Sequence, residues 1–359
     1  MYRTRSSRSA WTAAIALALV CGSALQACNP APTLQSRLQT AVDRYLESHD
    51  VPGVSVTVIV DDRPTTVVGG LADVDSRRPV SPYTVFPVAS VAKLYTATLA
   101  MKMVESRSLR LQDRVGRWLP DLPLEIQVVG DATLIQLMSH TSGLPQIPTL
   151  DSDRGQPLSN SDLLKRMPPP ICEPGRCYVY SDANYSLLGM VIEAASGRTL
   201  SEELQTRLLR PLRLRATFPG GIGQGNDVAV LYRPPERDSH FLENVLPRPS
   251  IGTIHTTSGD LAGWGHAVFT GEVLQPASLR RMIDPSISRG LPCPEGCGLP
   301  YGLGVVHYRE SGRDLVGHDG GSGAIVAHDL EDHATMAIVT NGGTQDVGAF
   351  LRAVLGALK

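Results

Sequence analysis

The chain has 359 residues, of which 42% are hydrophobic and 19% are charged, and its formal net charge is −2 at pH 7. This composition is typical of a globular protein and excludes a disordered or fibrous chain. No basic tract follows residue 8, so nothing favours nucleic acid as a partner, and the length allows one large domain or two.

The N-terminal residues have the pattern of an export signal. Three arginines among the first eight residues precede an apolar run over 10–20, which is too short to span a bilayer comfortably. Leu-Gln-Ala-Cys at 25–28 resembles the site at which bacterial lipoproteins are cleaved before a cysteine that carries lipid. We therefore expect residues 1–27 to be a signal peptide and Cys28 to carry a lipid anchor. The protein would then lie in the cell envelope (periplasm or outer membrane) and contact the membrane only through this anchor. Ordinary signal cleavage before Cys28, without lipid, is the alternative.

Four further cysteines form two close pairs. Cys172 and Cys177 flank Glu-Pro-Gly-Arg, and Cys293 and Cys297 flank Pro-Glu-Gly. Because turns bring residues at this spacing together and an exported chain meets an oxidising compartment, we expect two short disulfides. A four-thiolate zinc site is the alternative, although its ligand spacings differ from the usual pattern.

The mature chain is predicted to begin with a helix over about 33–48, where apolar residues recur at helical spacing. Residues 54–60 alternate in the manner of a strand, which returns over 65–71 after a turn. A second helix is predicted from residue 90 to about 106, directly after an extended segment that contains Pro87.

Residues 109 to about 271 have the pattern of short helices broken by Pro and Gly, with a Pro-, Ser- and Asp-rich exposed loop over 145–160. The remaining predicted elements are helices over 133–138, 185–195 and 201–209, strands over 301–306, 324–328 and 334–340, and a helix over 347–358. Strands at both ends with helices between them indicate an α+β fold, in which the two termini build one sheet and a helical region is inserted.

Ser90 and Lys93 stand three residues apart at the predicted start of the second helix. Residues at this spacing share a helix face, and the first-turn N–H groups and the positive end of the helix dipole lie beside the hydroxyl. A serine becomes a nucleophile when a neighbouring base removes its proton, which a desolvated lysine can do. The pattern is therefore typical of serine acyl transfer. The alternative is a helix-capping serine followed by a solvated lysine.

Four blocks follow one another at wide spacing: Ser-Val-Ala-Lys at 90–93, Ser-His-Thr-Ser-Gly-Leu-Pro at 139–145, Tyr-Ser-Asp-Ala-Asn-Tyr at 180–185 and Gly-His-Asp-Gly-Gly at 317–321. In this order they resemble the penicillin-recognising serine hydrolases, specifically the class C β-lactamase and D,D-peptidase branch. The resemblance extends from about residue 35 to the end. It implies a β-lactamase/transpeptidase-like fold with its site in a cleft between an α/β part (33–89 and 290–359) and a mostly helical part (90–289).

The resemblance also implies an acyl-enzyme mechanism. Ser90 is the expected nucleophile, and Lys93 and Tyr180 would move its proton, since a positive charge beside a phenol favours the phenolate. The backbone N–H groups of Ser90 and Gly321 would form the oxyanion hole, and Gly320 would let the strand approach the acyl carbonyl. The alternatives are a packed core tyrosine at 180 and a flexible turn over 317–323.

Two positions depart from the family pattern. Asp182 stands where asparagine is common; a carboxylate only accepts hydrogen bonds, and near Lys93 it would favour the protonated lysine and shift the proton transfer to Tyr180. His318 stands where most β-lactamases have lysine, and a mostly neutral histidine is a weak anchor for a substrate carboxylate. We expect His318 to orient substrate or to assist deacylation. Both changes argue against an efficient β-lactamase.

Other polar residues have simpler interpretations. His140, in the second block, is expected to support the loop, with a catalytic role as the alternative. His328, Asp329, Asp332 and His333 lie at a predicted hairpin turn and are expected to form a solvated polar tip rather than a metal cluster.

The sequence therefore predicts an exported serine hydrolase that cleaves an amide or ester in a small molecule or peptide: a β-lactam, a D-amino-acid peptide or a small ester. No motif indicates a metal or another cofactor. The alternatives are an esterase for uncharged substrates and a catalytically silent penicillin-binding or sensor protein.

Overall fold

Helix α1 spans Leu34–Ser48 and begins where Thr33 accepts a hydrogen bond from the backbone N–H of Ser36. The structure is a computed structural model that describes residues 31–147, 160–222, 227–233, 236–237, 250, 252–296, 298–343 and 347–358. Within these residues, no helix combines the length and the apolar character that crossing a bilayer would require.

The strands, numbered in chain order, are β1 Gly53–Val60, β2 Arg63–Asp73, β3 Arg78–Pro79, β4 Phe86–Pro87, β5 Thr217–Pro219, β6 Tyr232–Arg233, β7 Glu236–Arg237, β8 Ile254–Thr256, β9 Val306–Glu310, β10 Arg313–Gly320, β11 Ala324–Asp329 and β12 Thr335–Thr340. The main sheet has the order β3-β2-β1-β12-β11-β10-β9, and its neighbouring strands are antiparallel. Strand β1 pairs with β12 from the other end of the chain, with Val54 opposite Thr340. The predicted antiparallel sheet from both termini is therefore confirmed.

Among the described residues, the remaining α-helices are α2 Ala92–Glu105, α3 Val115–Trp118, α4 Leu134–Met138, α5 Asn160–Arg166, α6 Asp182–Ser196, α7 Leu200–Leu204, α8 Ser258–Phe269, α9 Pro276–Ile283 and α10 Val347–Ala357. Helices α1 and α10 pack on the sheet, and the rings of Tyr45 and Phe350 stack with centroids 4.0 Å apart. Helix α8 also packs against the sheet, so closely that a Cβ at Gly265 would lie 2.4 Å from Val326 Cγ2.

Helix α2 is the central helix of the core. It is buried on nearly every side, and its apolar residues do not form a single stripe, which is typical of an internal helix. The chain enters it through a 3₁₀ turn over Ala89–Val91 that follows β4. The predicted helix start at Ser90 is thus a 3₁₀ turn, with the α-helix beginning at Ala92.

The predicted strand over 301–306 is wrong, because the strand begins only at Val306. Gly304 has φ +79°, and a Cβ there would lie 2.3 Å from Ala97 Cβ, so this segment turns and packs closely against α2. The predicted helix over 201–209 is α-helical only to Leu204 and continues as a π-helix over Gln205–Leu209. Most of the loop predicted over 145–160 lies outside the described residues, and the boundaries between the two parts of the fold stay a prediction.

Candidate active site

Ser90 and Lys93 meet where β4 turns into α2. Lys93 has no solvent-exposed surface, and its Nζ donates a hydrogen bond of 2.9 Å to Ser90 Oγ. The turn is strained, because Ala89 has φ +45°, a left-handed conformation that residues with a Cβ seldom adopt. Such strain is common at functional sites, where the surrounding structure stabilises it.

Asp182 lies against the other side of the lysine. It is the first residue of α6, after the capping residue Ser181, and its Oδ1 lies 2.6 Å from Lys93 Nζ. Gln146 holds the aspartate twice: its Nε2 donates to Asp182 Oδ2 at 2.9 Å, and its Oε1 accepts from the Asp182 backbone N–H at 2.6 Å. These contacts fix the carboxylate on the ammonium of Lys93.

The charges around Lys93 keep it protonated. Burial alone would lower the pKa of Lys93, but the negative charge of Asp182 and the contact with Tyr180 outweigh burial and raise the pKa above its ordinary value. In the resting site the lysine is therefore an ammonium that donates to Ser90 and cannot accept its proton. This is the state that the sequence reasoning expects for an aspartate beside Lys93.

Tyr180 completes the group around the nucleophile. The side chain is 36% exposed, and its ring centroid lies 5.0 Å from Lys93 Nζ. Burial by the surrounding protein raises the pKa of Tyr180; Lys93 and hydrogen bonds to Ser90 and Lys93 act in the opposite direction, and Asp182 raises it further. The structure thus brings the predicted nucleophile, lysine and tyrosine together, with the tyrosine in its phenol form at neutral pH.

His140 packs against Tyr180 with ring centroids 4.4 Å apart. Its Nδ1 accepts a hydrogen bond from the backbone N–H of Ser181 and lies 3.2 Å from Asn184 Nδ2, so the ring proton is on Nε2. Nε2 has no hydrogen-bond partner among the described residues. Burial, and then the positive charge of Lys93, hold the pKa of His140 well below its usual range. These contacts suit a neutral residue that supports the segment carrying Tyr180.

His318 lies on β10 and is buried. Its Nδ1 donates to the backbone carbonyl of Asp319 at 2.7 Å, so its Nε2 accepts from the hydroxyl of Tyr301 at 3.0 Å. Burial lowers the pKa of His318 to about 4, the positive charge of Lys93 also lowers it, and Asp319 acts against both. At neutral pH this residue carries no charge, and both ring nitrogens are bound within the protein.

The end of β10 lies against the turn that carries Ser90. A Cβ at Gly320 would lie 2.2 Å from Val88 O and 3.1 Å from the backbone nitrogen of Ser90, and Ser322 Oγ donates to Pro87 O at 2.7 Å. The peptide between Gly320 and Gly321 is therefore beside Ser90, as two oxyanion N–H donors require. Residues 317–320 belong to β10, and only 321–323 form a turn, so the alternative of a flexible turn over 317–323 is wrong.

A disulfide joins Cys172 and Cys177, as predicted. The segment it closes packs on the 139–145 block, where Ile171 N–H donates to Gly143 O and Val179 N–H donates to His140 O, both at 2.9 Å. The disulfide thus helps to place the segment that leads to Tyr180. The alternative of a four-thiolate zinc site is wrong, because two of its four sulfurs are bonded to each other. Cys28 and Cys297 lie outside the described residues, so lipidation and the second disulfide stay predictions.

The predicted solvated tip at 328–333 is wrong in part. His328 and Asp329 are buried; His328 Nδ1 lies 2.8 Å from Thr335 Oγ1, and Arg313 binds the carboxylate of Asp329. Arg313 also pairs with Asp332, so this turn is held by an ion-pair network.

Two residues of the site were missed from the sequence. Gln146 directly follows the 139–145 block, and Tyr301 opens a Tyr-Gly-Leu-Gly run. A single glutamine and a single tyrosine carry no pattern of their own. Only their contacts with Asp182 and His318 show what they do.

Comparison with known proteins supports the fold and the chemistry together. Residues 38–358 match the family model described as Beta-lactamase. Penicillin-binding protein 4 of Amycolatopsis lactamdurans is 27% identical over 356 residues, which cover 89% of this chain and 89% of that protein. Penicillin-binding protein 4* of Bacillus subtilis (strain 168) is 26% identical over 322 residues, which cover 80% of this chain and 66% of that protein.

Solved structures agree in fold. The D-amino acid amidase from Ochrobactrum anthropi SV3, complexed with D-phenylalanine, has a TM-score of 0.79 at 23% identity and covers 90% of this chain and 98% of its own. SurE has a TM-score of 0.73 at 25% identity and covers 91% of this chain and 76% of its own. Because the family model matches nearly the whole chain that carries Ser90, Lys93 and Tyr180, the chain belongs to the Beta-lactamase family and is a serine hydrolase of the penicillin-binding protein type.

Proposed function

We propose that the protein hydrolyses small amides through an acyl-enzyme on Ser90, and that its substrates lack a carboxylate on the side that faces β10. The observation that carries this proposal is the state of His318, which is buried, neutral and bound at both ring nitrogens. A substrate anion gains nothing from such a residue, because neither a positive charge nor a free N–H is offered.

The mechanism follows from the ionisation of the site. Ser90 attacks the carbonyl, and its proton passes to the Lys93–Tyr180 pair once that pair has lost one proton. The N–H groups of Ser90 and Gly321 stabilise the oxyanion, and the pair returns the proton to the leaving group. A water molecule then attacks the acyl carbon as the same pair takes its proton, and the pair passes that proton to Ser90 Oγ as the bond between Ser90 and the acyl group breaks.

Amides are favoured over esters by the fold neighbours. The D-amino acid amidase and a D-stereospecific amidohydrolase from Streptomyces sp. share this fold with TM-scores of 0.79 and 0.75. An esterase for uncharged substrates is the second candidate, because a neutral His318 suits it equally well. The order of the four blocks favours the class C branch. Asp182 and His318 depart from the pattern of that branch, and both departures argue against efficient turnover of β-lactams.

Intact mass after incubation with a fluorophosphonate and, separately, with a fluorescent penicillin tests the proposal. We expect a fluorophosphonate adduct on the wild type that Ser90→Ala lacks, and little adduct from the penicillin. Turnover of a neutral amide with slow turnover of nitrocefin supports an amidase, and turnover of p-nitrophenyl esters alone supports the esterase. A wild type without any adduct on Ser90 contradicts the proposal and favours a silent sensor.

We also propose that the protein is exported to the cell envelope and anchored by lipid at Cys28, after removal of residues 1–27. The support is the sequence pattern of the N-terminus. Metabolic labelling with an alkyne fatty acid should label the wild-type protein and not Cys28→Ala. Labelling of neither, with the mature chain in the soluble periplasmic fraction, would instead indicate ordinary signal cleavage.

A further inference from the structure

The carboxylate of Asp182 is open to the cleft. Its side chain is 31% exposed, whereas Lys93 beneath it is fully buried. Lys93 Nζ donates a hydrogen bond of 2.9 Å to Ser90 Oγ and forms an ion pair with Asp182 Oδ1 at 2.6 Å. Asp182 is therefore only two short polar contacts from the nucleophile, so a group bound to its carboxylate can belong to the acyl part of a substrate bound to Ser90.

The two oxygens of Asp182 differ in what holds them. Oδ1 is held by the buried ammonium of Lys93, and Oδ2 accepts from the amide of Gln146, which is exposed. A neutral amide makes a weaker hydrogen bond to a carboxylate than an ammonium does, and each carboxylate oxygen can accept more than one donor. Oδ2 is thus the position at which a substrate cation can bind, beside Gln146 or in its place.

The surrounding charges also favour a cation at Oδ2. Lys93 is held on the opposite oxygen, so a substrate ammonium on Oδ2 lies nearer to the carboxylate than to the lysine. The other bases that face Lys93, His140 and His318, are neutral because burial lowers the pKa of each. A substrate carbonyl gains nothing here, because a carboxylate has no proton to donate.

We propose that Asp182 is the specificity-determining residue of this site and binds a free amino group on the carbon next to the scissile carbonyl. The preferred substrates are amides of amino acids, or of peptides with a free N-terminus, rather than N-acylated ones. This inference rests on the proposed acyl-enzyme function, and it specifies in addition that the acyl part of the substrate carries a positively charged amino group.

The test compares alanine p-nitroanilide with N-acetylalanine p-nitroanilide, each as D and L forms, on wild type, Asp182→Asn and Asp319→Asn. The measured quantity is the ratio of kcat/KM for the free amine to that for the acetylated form of the better enantiomer. Because both values come from one protein sample, the ratio depends neither on the folded fraction nor on a general change in the reactivity of Ser90.

We expect the ratio to be about ten or more in the wild type, the worth of one charge-assisted hydrogen bond, and to fall to about one in Asp182→Asn. Asp319→Asn is the matched control. Asp319 neighbours His318 on β10 and accepts from the hydroxyl of Tyr308, but alternation along a strand directs the two side chains to opposite faces. Its ratio should equal that of the wild type.

A wild-type ratio near or below one, or a high ratio that survives in Asp182→Asn, overturns the inference. So does cleavage of neither form by a protein whose Ser90 still reacts with a fluorophosphonate. Failure of the fluorophosphonate adduct itself overturns the proposed function and the inference with it, so the two failures are distinguishable.

Discussion

Replacement of Asp182 by asparagine tests how the ionisation of the site is set. Asp182 Oδ1 lies 2.6 Å from Lys93 Nζ, and its negative charge raises the pKa of both Lys93 and Tyr180. Burial acts on the two groups in opposite directions, since it lowers the pKa of Lys93 and raises that of Tyr180. Asparagine keeps the shape of the side chain, removes the charge and replaces one acceptor oxygen by an N–H₂ donor.

The size of the effect follows from the distance. Two unit charges 2.6 Å apart interact by about 1.6 kcal/mol at the dielectric constant of water and by about 6 kcal/mol at an effective value of 20. Asp182 is 31% exposed and screened by solvent, so the lower end applies. We expect the pKa of Lys93 to fall by about one to two units, since one unit corresponds to about 1.4 kcal/mol.

The direction in which the pH profile shifts follows from the proton that the site must lose before catalysis. In the resting site Lys93 and Tyr180 are both protonated, because the pKa of each is raised. One of these two protons must be lost before the pair can accept the proton of Ser90. Activity of the wild type should therefore rise towards alkaline pH. Asp182→Asn lowers both pKa values, so the acidic limb of the profile should move to lower pH by about one to two units.

The assay is the pH profile of kcat/KM for a neutral ester or amide, measured on both proteins. Asp131→Asn is the control, because it removes a carboxylate from an exposed ion pair with Arg114. An acidic limb that stays in place in Asp182→Asn, or moves equally in Asp131→Asn, would refute the reasoning that Asp182 sets the charge of Lys93.

Three further changes test other parts of the site. Gly320→Ala places a Cβ 2.2 Å from Val88 O and should lower kcat by about 10²–10³-fold, with thermal unfolding measured to show that the fold persists. Lys93→Met leaves the carboxylate of Asp182 without its ammonium and should lower kcat/KM by about 10²–10⁴-fold; retained activity would exclude Lys93 from proton transfer. Cys172→Ala removes the disulfide between two cysteines that are five positions apart and should destabilise the protein by about 2 kcal/mol in urea unfolding; an unchanged midpoint would contradict this.

The sheet was predictable because its strands carry a local pattern. Residues 54–60 and 334–340 alternate or run apolar in ways that β-branched residues favour, and the two segments pair as β1 and β12. Helix α8 was not predicted as a separate element, since its run over Ser258–Phe269 is apolar on most sides and contains three glycines. One of them, Gly265, is required by the close approach to Val326, a contact between residues far apart in the chain.

The residues of the site were easier to predict from the sequence than the contacts between them. Ser90, Lys93 and Tyr180 were selected by their order and spacing, and the structure places them within contact of one another. The same residues gave no indication that Gln146 holds Asp182, or that Tyr301 occupies His318 Nε2. Such contacts join segments separated by 36 and 17 positions, and no periodic pattern records them.

The sequence by itself determined the chemical groups of this protein: a hydroxyl, an amine and a phenol in one order, two sheet-forming ends, and an aspartate and a histidine at unusual positions. The charges of Lys93 and His318 were expectations until the tertiary structure showed which groups are buried and which lie in contact. Ionisation depends on how far a group is removed from water and on which partner lies beside it, and both are properties of three-dimensional packing. For this reason the lysine is an ammonium and the histidine is neutral.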